Sequence, residues 1–391
     1  MSHSFCRVAI NGWFWNSPTT GSGQYTRRLV EALSALDADL QIILVTPTDR
    51  VQDTGCNKQE TTAPASCILH PVPCSRSNLG KVWFEQVVFP RACRRLDADV
   101  AHVPYWAGPV MPPVPTIVTI HDLIPLLLRE YRGGLLVRLY TSLVGRTARN
   151  AALALTDSKA SRRDIVARLG LPDERVRVVY LAADERYTPV PAPDDAAIRA
   201  RYDAPERYVL YLGGFDVRKN VRTVLDAFRL AGPIIGEGCP LVVAGRLPEQ
   251  DTAFAPDPRR LARDLGIKER FVRFTGFVDE ADKPALYRGA VAFIFPSRYE
   301  GFGLPPLESL ACGTPVVGSD VSSIPEVVGD AGMLLPPGDV EGMAHALVQL
   351  ATGEDFCAEL GRRALAQAAH FSWQRAARET LAAYQDVRRK T

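Results

Sequence analysis

The 391-residue sequence has no apolar run of about 18 residues, the length that a membrane-spanning helix requires. Its first residues do not combine a basic segment with an apolar core, so they do not resemble a signal peptide. The eight cysteines include no Cys-x-x-Cys pair, and most lie in apolar stretches. This distribution favours buried thiols over a disulfide framework or a zinc site. We therefore expect a cytoplasmic protein with reduced, buried thiols.

Several sequence motifs of nucleotide and ester chemistry are also missing. There is no Gly-x4-Gly-Lys-Ser/Thr loop and no Gly-x-Ser-x-Gly elbow, which leaves phosphate-loop NTPases and hydrolases without support. Gly21-Ser22-Gly23 opens a predicted helix, but Thr26 stands where a nicotinamide-binding fingerprint has its third glycine. Asp37-Ala-Asp39 and Asp97-Ala-Asp99 match an Asp-x-Asp metal motif, yet each precedes a strand, at the wrong end of a parallel sheet for a ligand. We interpret both as solvated turns and expect no bound metal.

Short β-rich segments alternate with helical patterns along the whole chain, which is typical of parallel sheets covered by helices. The chain is longer than one hydrophobic core usually serves, so we predict an α/β protein with two doubly wound, Rossmann-like domains. Residues 188–193 contain three prolines and no apolar periodicity, as in an interdomain linker. The predicted organisation is an N-terminal domain over 1–190, a linker over 191–205, a C-terminal domain over 206–372 and a helix over 373–391. Two placements of that helix stay open, on the C-terminal domain or back on the N-terminal domain.

Charge is distributed unevenly although the net charge is only +2. Residues 76–163 hold 13 Lys and Arg against 6 Asp and Glu. Such a segment attracts anionic lipid or acidic acceptors. Two interpretations stay open: peripheral association with the inner face of an anionic membrane, and an ordinary solvated Arg-rich surface. No feature of the sequence favours a nucleic-acid partner.

The most informative stretch is 297–315, where Glu300 and Glu308 stand eight positions apart in Glu-Gly-Phe-Gly-Leu-Pro-Pro-Leu-Glu. It follows an apolar strand, turns through glycines, and enters a helix at Pro305-Pro306, where missing N–H groups are harmless. It therefore lies at the carboxyl end of a parallel strand, where open sheets bind ligands. N–H groups of Gly303 and Leu304 at the helix start suit phosphate or sugar oxygens.

Two further strand ends carry polar groups. A strand ending in Gly213-Gly214 leads through Arg218 and Lys219 into a helix, which places two cations where the backbone can approach a diphosphate. Another predicted strand ends at His121. A lone histidine of this kind is more often structural than catalytic.

The double glutamate and its flanking residues resemble the signature of family 4 retaining glycosyltransferases, whose GT-B fold has two Rossmann-like domains facing across a cleft. The resemblance implies that Glu300 holds hydroxyls of the donor hexose and Glu308 the nucleotide ribose, with Phe302, Gly303 and Leu304 at the donor. Arg218 and Lys219 are similar to the family's phosphate-binding cations. Gly214 stands where some members carry an arginine. By the same resemblance His121 lies close to the reacting hexose, and Gly21 and Gly23 belong to a loop facing the donor phosphate.

The implied activity is metal-independent, cofactor-free transfer of a hexose, with retention, from a nucleotide sugar to a carbohydrate or lipid-linked acceptor. The sequence looks most like bacterial mannosyltransferases of polysaccharide assembly, so we predict GDP-mannose as the donor. Because no carboxylate near His121 presents itself as a nucleophile, we favour a front-face route. Two alternatives remain: a sugar-nucleotide 2-epimerase, and a catalytically silent nucleotide-sugar-binding protein.

Overall fold

The computed structural model describes residues 5–17, 20–36, 38–48, 63–64 and 67–390. The chain divides into two compact units, one made of Met1–Leu181 with Trp373–Thr391 and the other of Ala182–Ser372. Residues 191–205, interpreted above as a linker, fall inside the second unit and include a helix over Asp195–Arg201. No helix in the described part of the chain is long and apolar enough to cross a membrane.

The first unit is built on one parallel sheet. Its strands are β1 Cys6–Asn11, β2 Leu40–Thr48, β3 Cys67–Pro73, β4 Val100–Val103, β5 Thr116–Thr119, β6 Leu153–Thr156 and β7 Val176–Val178. They pair in the order β3-β2-β1-β4-β5-β6-β7. Strands β4, β5 and β6 are buried along their whole length, as expected when both faces of a parallel sheet are covered.

Helices connect these strands. They are α1 Gly21–Ser34, α2 Asn78–Trp83, α3 Phe89–Arg95, α4 Ile124–Leu127, α5 Leu135–Asn150 and α6 Lys159–Leu169, with a π-helical turn at Phe84–Val88 and 3-10 turns at Arg129–Tyr131 and Asp173–Arg175. Side-chain caps start α1 and α6: Thr20 accepts from the N–H of Gly23, and Ser158 from that of Ser161. Gly170 ends α6 in the left-handed conformation that glycine adopts easily.

The second unit repeats the architecture. Its strands are β8 Tyr208–Leu212, β9 Leu241–Ala244, β10 Val272–Gly276, β11 Ala290–Phe295, β12 Val316–Ser319 and β13 Gly332–Leu335, paired as β10-β9-β8-β11-β12-β13. Its helices are α7 Asp195–Arg201, α8 Val221–Ile235, α9 Pro258–Asp264, α10 Lys283–Gly289, α11 Leu304–Ala311, α12 Ile324–Val328, α13 Val340–Thr352 and α14 Glu354–Ala368, with 3-10 turns at Gly236–Gly238 and Glu269–Phe271.

In each sheet the strand order reverses direction once, between β1 and β4 in the first unit and between β8 and β11 in the second. Chain segments leaving two such neighbouring strands diverge to opposite faces of the sheet, which opens a crevice at their carboxyl ends. In the second unit the two loops at that point run from β8 to α8 and from β11 to α11. These are the loops that carry the glycine pair and the double glutamate.

The last helix, α15 Trp373–Arg389, belongs to the first unit. It buries Tyr384, whose hydroxyl lies 2.7 Å from Nδ1 of His102 on β4. The other ring nitrogen, Nε2, lies 2.8 Å from the hydroxyl of Thr119. Burial lowers the pKa of His102 to about 3, so the ring stays neutral at ordinary pH. The helix thus completes both the apolar core and a buried polar network of that unit.

Candidate functional site

Glu300 lies in the loop between β11 and α11, where its side chain is buried. Its carboxylate accepts hydrogen bonds from Nη1 of Arg218 at 2.5 Å and from Nζ of Lys219 at 2.8 Å. Both cations come from the loop between β8 and α8. The two loops are joined further by the bond from the Arg298 N–H to the Arg218 carbonyl, at 2.8 Å. The structure therefore brings Glu300 to two adjacent cations that lie 82 and 81 positions before it in the sequence.

The charges in this cluster keep the carboxylate of Glu300 ionised. Burial alone would raise the pKa of Glu300, but Lys219 and Arg218 hold that pKa below its usual value. Glu300 is therefore ionised at neutral pH. Asp216 also lies near the cluster, with a carboxylate oxygen 3.6 Å from Nε of Arg218. Two carboxylates and two cations thus balance one another at the end of β8.

Serines from the loop after β12 fix the backbone around Glu300. The N–H of Glu300 donates to the hydroxyl of Ser322 at 3.0 Å, and the hydroxyl of Ser323 donates to the carbonyls of Glu300 and Phe302. Gly303 caps α11 at a φ of 116°, and an added Cβ would lie 3.0 Å from a methyl of Ile324. Only glycine suits this position. The sequence analysis missed both serines, although they follow the strand next to β11.

Glu308 lies on α11 itself. The hydroxyl of Tyr287, on α10, donates to its carboxylate at 3.1 Å. Burial raises the pKa of Glu308, and Lys283 opposes that effect only in part. The polar contacts of Glu308 are thus separate from those of the Glu300 cluster, as two different ligand contacts would require.

The remaining predicted donor residues of this unit fall in different environments. The ring of Phe302 is buried and packs edge-on against Phe371, with centroids 5.8 Å apart, so it is a packing group here. Leu304 is half-buried at the first position of α11, whose opening N–H groups have no acceptor within the helix. Gly214 has space around it, since an added Cβ would meet only Asp216, at 3.4 Å. Their roles in binding stay predictions.

In the first unit, His121 follows β5 and contacts a carboxylate that the sequence analysis did not identify. Nδ1 of His121 lies 2.6 Å from a carboxylate oxygen of Asp157, which follows β6. Burial disfavours the charged ring, but Asp157 more than offsets it, and the pKa of His121 is raised. Nε2 is buried without a hydrogen bond of good geometry in the described chain, although the carbonyl of Pro104 also favours its protonation. Asp157 is therefore a counter-charge to the ring, and the expectation that no carboxylate on the His121 side acts as a nucleophile stays a prediction.

We expect Asp157→Asn to lower the pKa of His121, because the ring would lose its counter-charge and keep its burial. NMR titration of the His121 ring protons measures this directly. Asp173→Asn is a suitable control, since Asp173 forms an exposed ion pair with Arg162 in the same unit. An unchanged pKa in Asp157→Asn would contradict the electrostatic role of that carboxylate.

Gly21 and Gly23 lie in the first turn of α1, and the loop that precedes the helix explains one of them by packing. An added Cβ on Gly23 would lie 2.1 Å from the carbonyl oxygen of Ser17, so the close approach of that loop requires glycine. Nothing lies within 4 Å of the equivalent position on Gly21. Gly23 therefore has a structural reason of its own, and the proposed contact of both glycines with a donor phosphate stays a prediction.

The described part of the chain contains no group of three or more His, Cys, Asp or Glu side chains arranged to hold a metal. Asp37 of the first Asp-x-Asp segment lies outside the described residues. Asp99 of the second accepts the N–H of Arg7 at 2.8 Å and pairs with Arg388 at 3.6 Å. These contacts make Asp99 a structural residue.

Comparison with known proteins covers both units. Residues 19–187 match the family described as glycosyltransferase family 4, and residues 206–353 match glycosyl transferases group 1. The chain is 34% identical over 269 residues to the O-antigen chain mannosyltransferase B of Escherichia coli, a match covering 68% of this chain and 69% of that protein. It is 33% identical over 267 residues to the serotype-specific mannosyltransferase WbdA of Escherichia coli, covering 67% of this chain but only 32% of that protein.

Among solved structures, sucrose-phosphate synthase from Thermosynechococcus elongatus aligns with 98% of this chain and 100% of its own, with a TM-score of 0.74. The two sequences are 20% identical over that alignment. At this level of identity the likeness shows the fold alone.

Proposed function

This chain belongs to glycosyltransferase family 4 and has the GT-B fold, and from that membership we propose that it transfers a hexose, with retention at the anomeric carbon, from a nucleoside-diphosphate sugar to an acceptor hydroxyl. The family and the fold class predicted from the sequence are both confirmed. The chain is a glycosyltransferase; the donor, the acceptor and the stereochemistry are the parts that we propose.

The observation that carries the proposal is the cluster of Glu300, Arg218 and Lys219 at the crevice of the second sheet. A guanidinium has five N–H donors and an ammonium three, so both cations can hold Glu300 and a phosphate oxygen at once. In this scheme they stabilise the diphosphate as it leaves, which is the role of a metal ion in other phosphate chemistry. Glu300 keeps both cations in place and accepts hydroxyls of the hexose.

The proposed reaction is a front-face substitution. The bond between the anomeric carbon and the diphosphate oxygen breaks, and the acceptor oxygen bonds to the same carbon on the same face. The acceptor proton passes to the departing diphosphate. Protonated His121, with Asp157 as its counter-charge, is proposed to donate a hydrogen bond to the hexose. No metal or cofactor enters these steps.

For the donor we propose GDP-mannose, because both relatives described above are named mannosyltransferases. The acceptor that we propose is a growing polysaccharide or a lipid-linked sugar on the cytoplasmic side of the membrane. The two alternatives drawn from the sequence, an epimerase and a silent binding protein, find no support among these relatives.

Donor consumption with and without acceptor tests the proposal. Thermal shifts with GDP, UDP, ADP and dTDP identify the base first, since a ligand at 100 Kd stabilises the fold by about 2.7 kcal/mol. The matching sugar nucleotide is then incubated with mannosyl oligosaccharides, with and without EDTA. We expect an acceptor-dependent, EDTA-resistant product whose new linkage keeps the donor's anomeric configuration. A 2-epimer formed without acceptor, or binding without turnover, would overturn the proposal.

Glu308→Ala should weaken the affinity for free nucleoside diphosphate by about 1.5 to 3 kcal/mol, the contribution of hydrogen bonds to a charged group. A carboxylate accepts both hydroxyls of a ribose at once, which alanine cannot do. Calorimetric titration measures the loss. Glu354→Ala is the control, because Glu354 is an exposed glutamate of the same unit. Equal affinity of Glu308→Ala and the unaltered protein would end the assignment of the ribose to Glu308.

A further inference from the structure

A cavity of about 510 Å³ lies in the first unit, between the start of α4, one face of α5 and the end of α6. Five arginines contribute to its lining, and no acidic side chain does: Arg132, Arg138, Arg146, Arg149 and Arg168. Along α5, the lining residues Arg138, Ser142, Gly145 and Arg149 follow spacings of four, three and four, which is one face of a helix. The chain thus builds a concave, strongly basic surface.

Most charges of this cavity have no opposite charge paired with them in the described part of the chain. Four of the arginines, Arg132, Arg138, Arg146 and Arg168, form no ion pair with any carboxylate that the structure describes. Arg149 is held by its own bond, from Nε to the carbonyl of Leu169 at 2.7 Å. Planar guanidinium groups bind phosphate oxygens in pairs of hydrogen bonds. A concave group of unpaired guanidiniums therefore suits a ligand that brings phosphate charge.

The same helix presents apolar side chains to solvent beside the cavity. Leu135, Leu136 and Leu139, in the first turns of α5, are 73%, 82% and 59% exposed. Single exposed leucines are ordinary, but three within five residues form a local apolar surface. A soluble phosphate compound makes no use of such a surface. A lipid does, because its acyl region lies directly beneath its phosphate headgroup.

We propose that this arginine cavity binds the phosphate headgroup of an anionic lipid, with the leucines of α5 entering the apolar layer below it. The proposal narrows the membrane association considered for residues 76–163 to one site and one ligand chemistry. It concerns lipid binding and does not depend on the transfer reaction, so either proposal can fail alone.

Co-sedimentation of the full chain with phosphatidylcholine vesicles of rising phosphatidylglycerol content tests it. We expect binding that increases with phosphatidylglycerol and weakens with salt. Arg138→Glu with Arg146→Glu should raise the lipid concentration for half-binding about tenfold or more. The matched control is Arg91→Glu with Arg95→Glu on α3, which changes the net charge equally at another exposed basic surface. That pair should change binding less than about twofold, and circular dichroism confirms that all variants fold.

Two further comparisons distinguish binding of a lipid headgroup from binding of a free phosphate compound and from general attraction to the basic surface. Leu135→Ser with Leu136→Ser keeps every arginine, and we expect it to weaken vesicle binding while leaving any binding of inorganic pyrophosphate unchanged. Equal losses from the α3 and α5 charge variants would show general attraction to the surface and overturn the assignment to the cavity. Binding of pyrophosphate without binding to anionic vesicles would overturn the assignment to a lipid.

Discussion

Replacing Arg218 or Lys219 with alanine is expected to lower kcat/KM by about 30- to 1,000-fold, which corresponds to ~2 to 4 kcal/mol of transition-state stabilisation. Each side chain is a half-buried cation beside Glu300, at the point where a departing diphosphate would gain charge. The free energy of unfolding should change by less than this loss of transition-state stabilisation, because the remaining cation still pairs with Glu300. Steady-state kinetics with the sugar nucleotide measure the effect.

Arg222→Ala is the matched control for these variants. Arg222 lies at the start of α8, just after the two cations, but its side chain is 63% exposed and pairs only loosely with Asp226. Its loss should leave kcat/KM within about twofold of the unaltered enzyme, as for most exposed positions. If Arg218→Ala and Lys219→Ala also kept the original kcat/KM, both cations would be structural partners of Glu300 and nothing more.

Glu300→Ala should reduce the free energy of unfolding by about 3 to 5 kcal/mol, since it removes the carboxylate that both cations share and leaves Asp216, 3.6 Å from Arg218, as the remaining counter-charge. Turnover should also fall, and by more than nucleotide affinity, because Glu300 holds the leaving-group cations and, in our proposal, the hexose. Glu300→Gln keeps the shape of the side chain but not its charge, and its free energy of unfolding should lie between those of Glu300→Ala and the unaltered protein. Denaturant unfolding and calorimetric titration separate the two effects.

The pH dependence of this loss has a definite sign. Because the pKa of Glu300 is lowered on folding, its stabilising contribution is present above the ordinary pKa of a glutamate and disappears as the pH falls through the lowered value. The difference between Glu300→Ala and the unaltered protein should therefore shrink in acid. If the free energies of unfolding of Glu300→Ala and the unaltered protein differed by less than about 0.5 kcal/mol at neutral pH, the cluster would contribute no net stability.

The sequence predicts the central strands of the two sheets well because they are short, apolar and buried, as β4, β5 and β6 are, and such segments stand out between helical patterns. The edge strands β3 and β13 are more exposed and lack that signal. The position along the chain at which the second unit begins is harder to predict. Residues 188–193 have the composition of a linker, yet α7 follows at once and Asp195 pairs with Arg288 of α10 at 2.5 Å. Composition reports only the local preference of the chain, whereas this ion pair depends on Arg288, which lies far from Asp195 in the sequence.

The candidate site shows the same division. Each site loop is predictable, since it combines a strand end with glycines and charged residues. The contacts between loops are not, because they depend on which strands become neighbours. Asp157 follows β6 as His121 follows β5, but only the strand order places β6 beside β5. The pairing of Glu300 with Arg218 and Lys219 likewise requires β8 and β11 to be adjacent.

The membership of α15 in the first unit has a consequence for biosynthesis. Tyr384 and the alanines beside it fill the core next to β4 and α1, yet the ribosome makes them only after the whole of Ala182–Ser372. The second unit is one continuous segment and can fold as soon as it emerges. The first unit must wait with His102 and its apolar neighbours uncovered until α15 arrives. During that interval the nascent first unit is the part of the protein that most needs protection from aggregation.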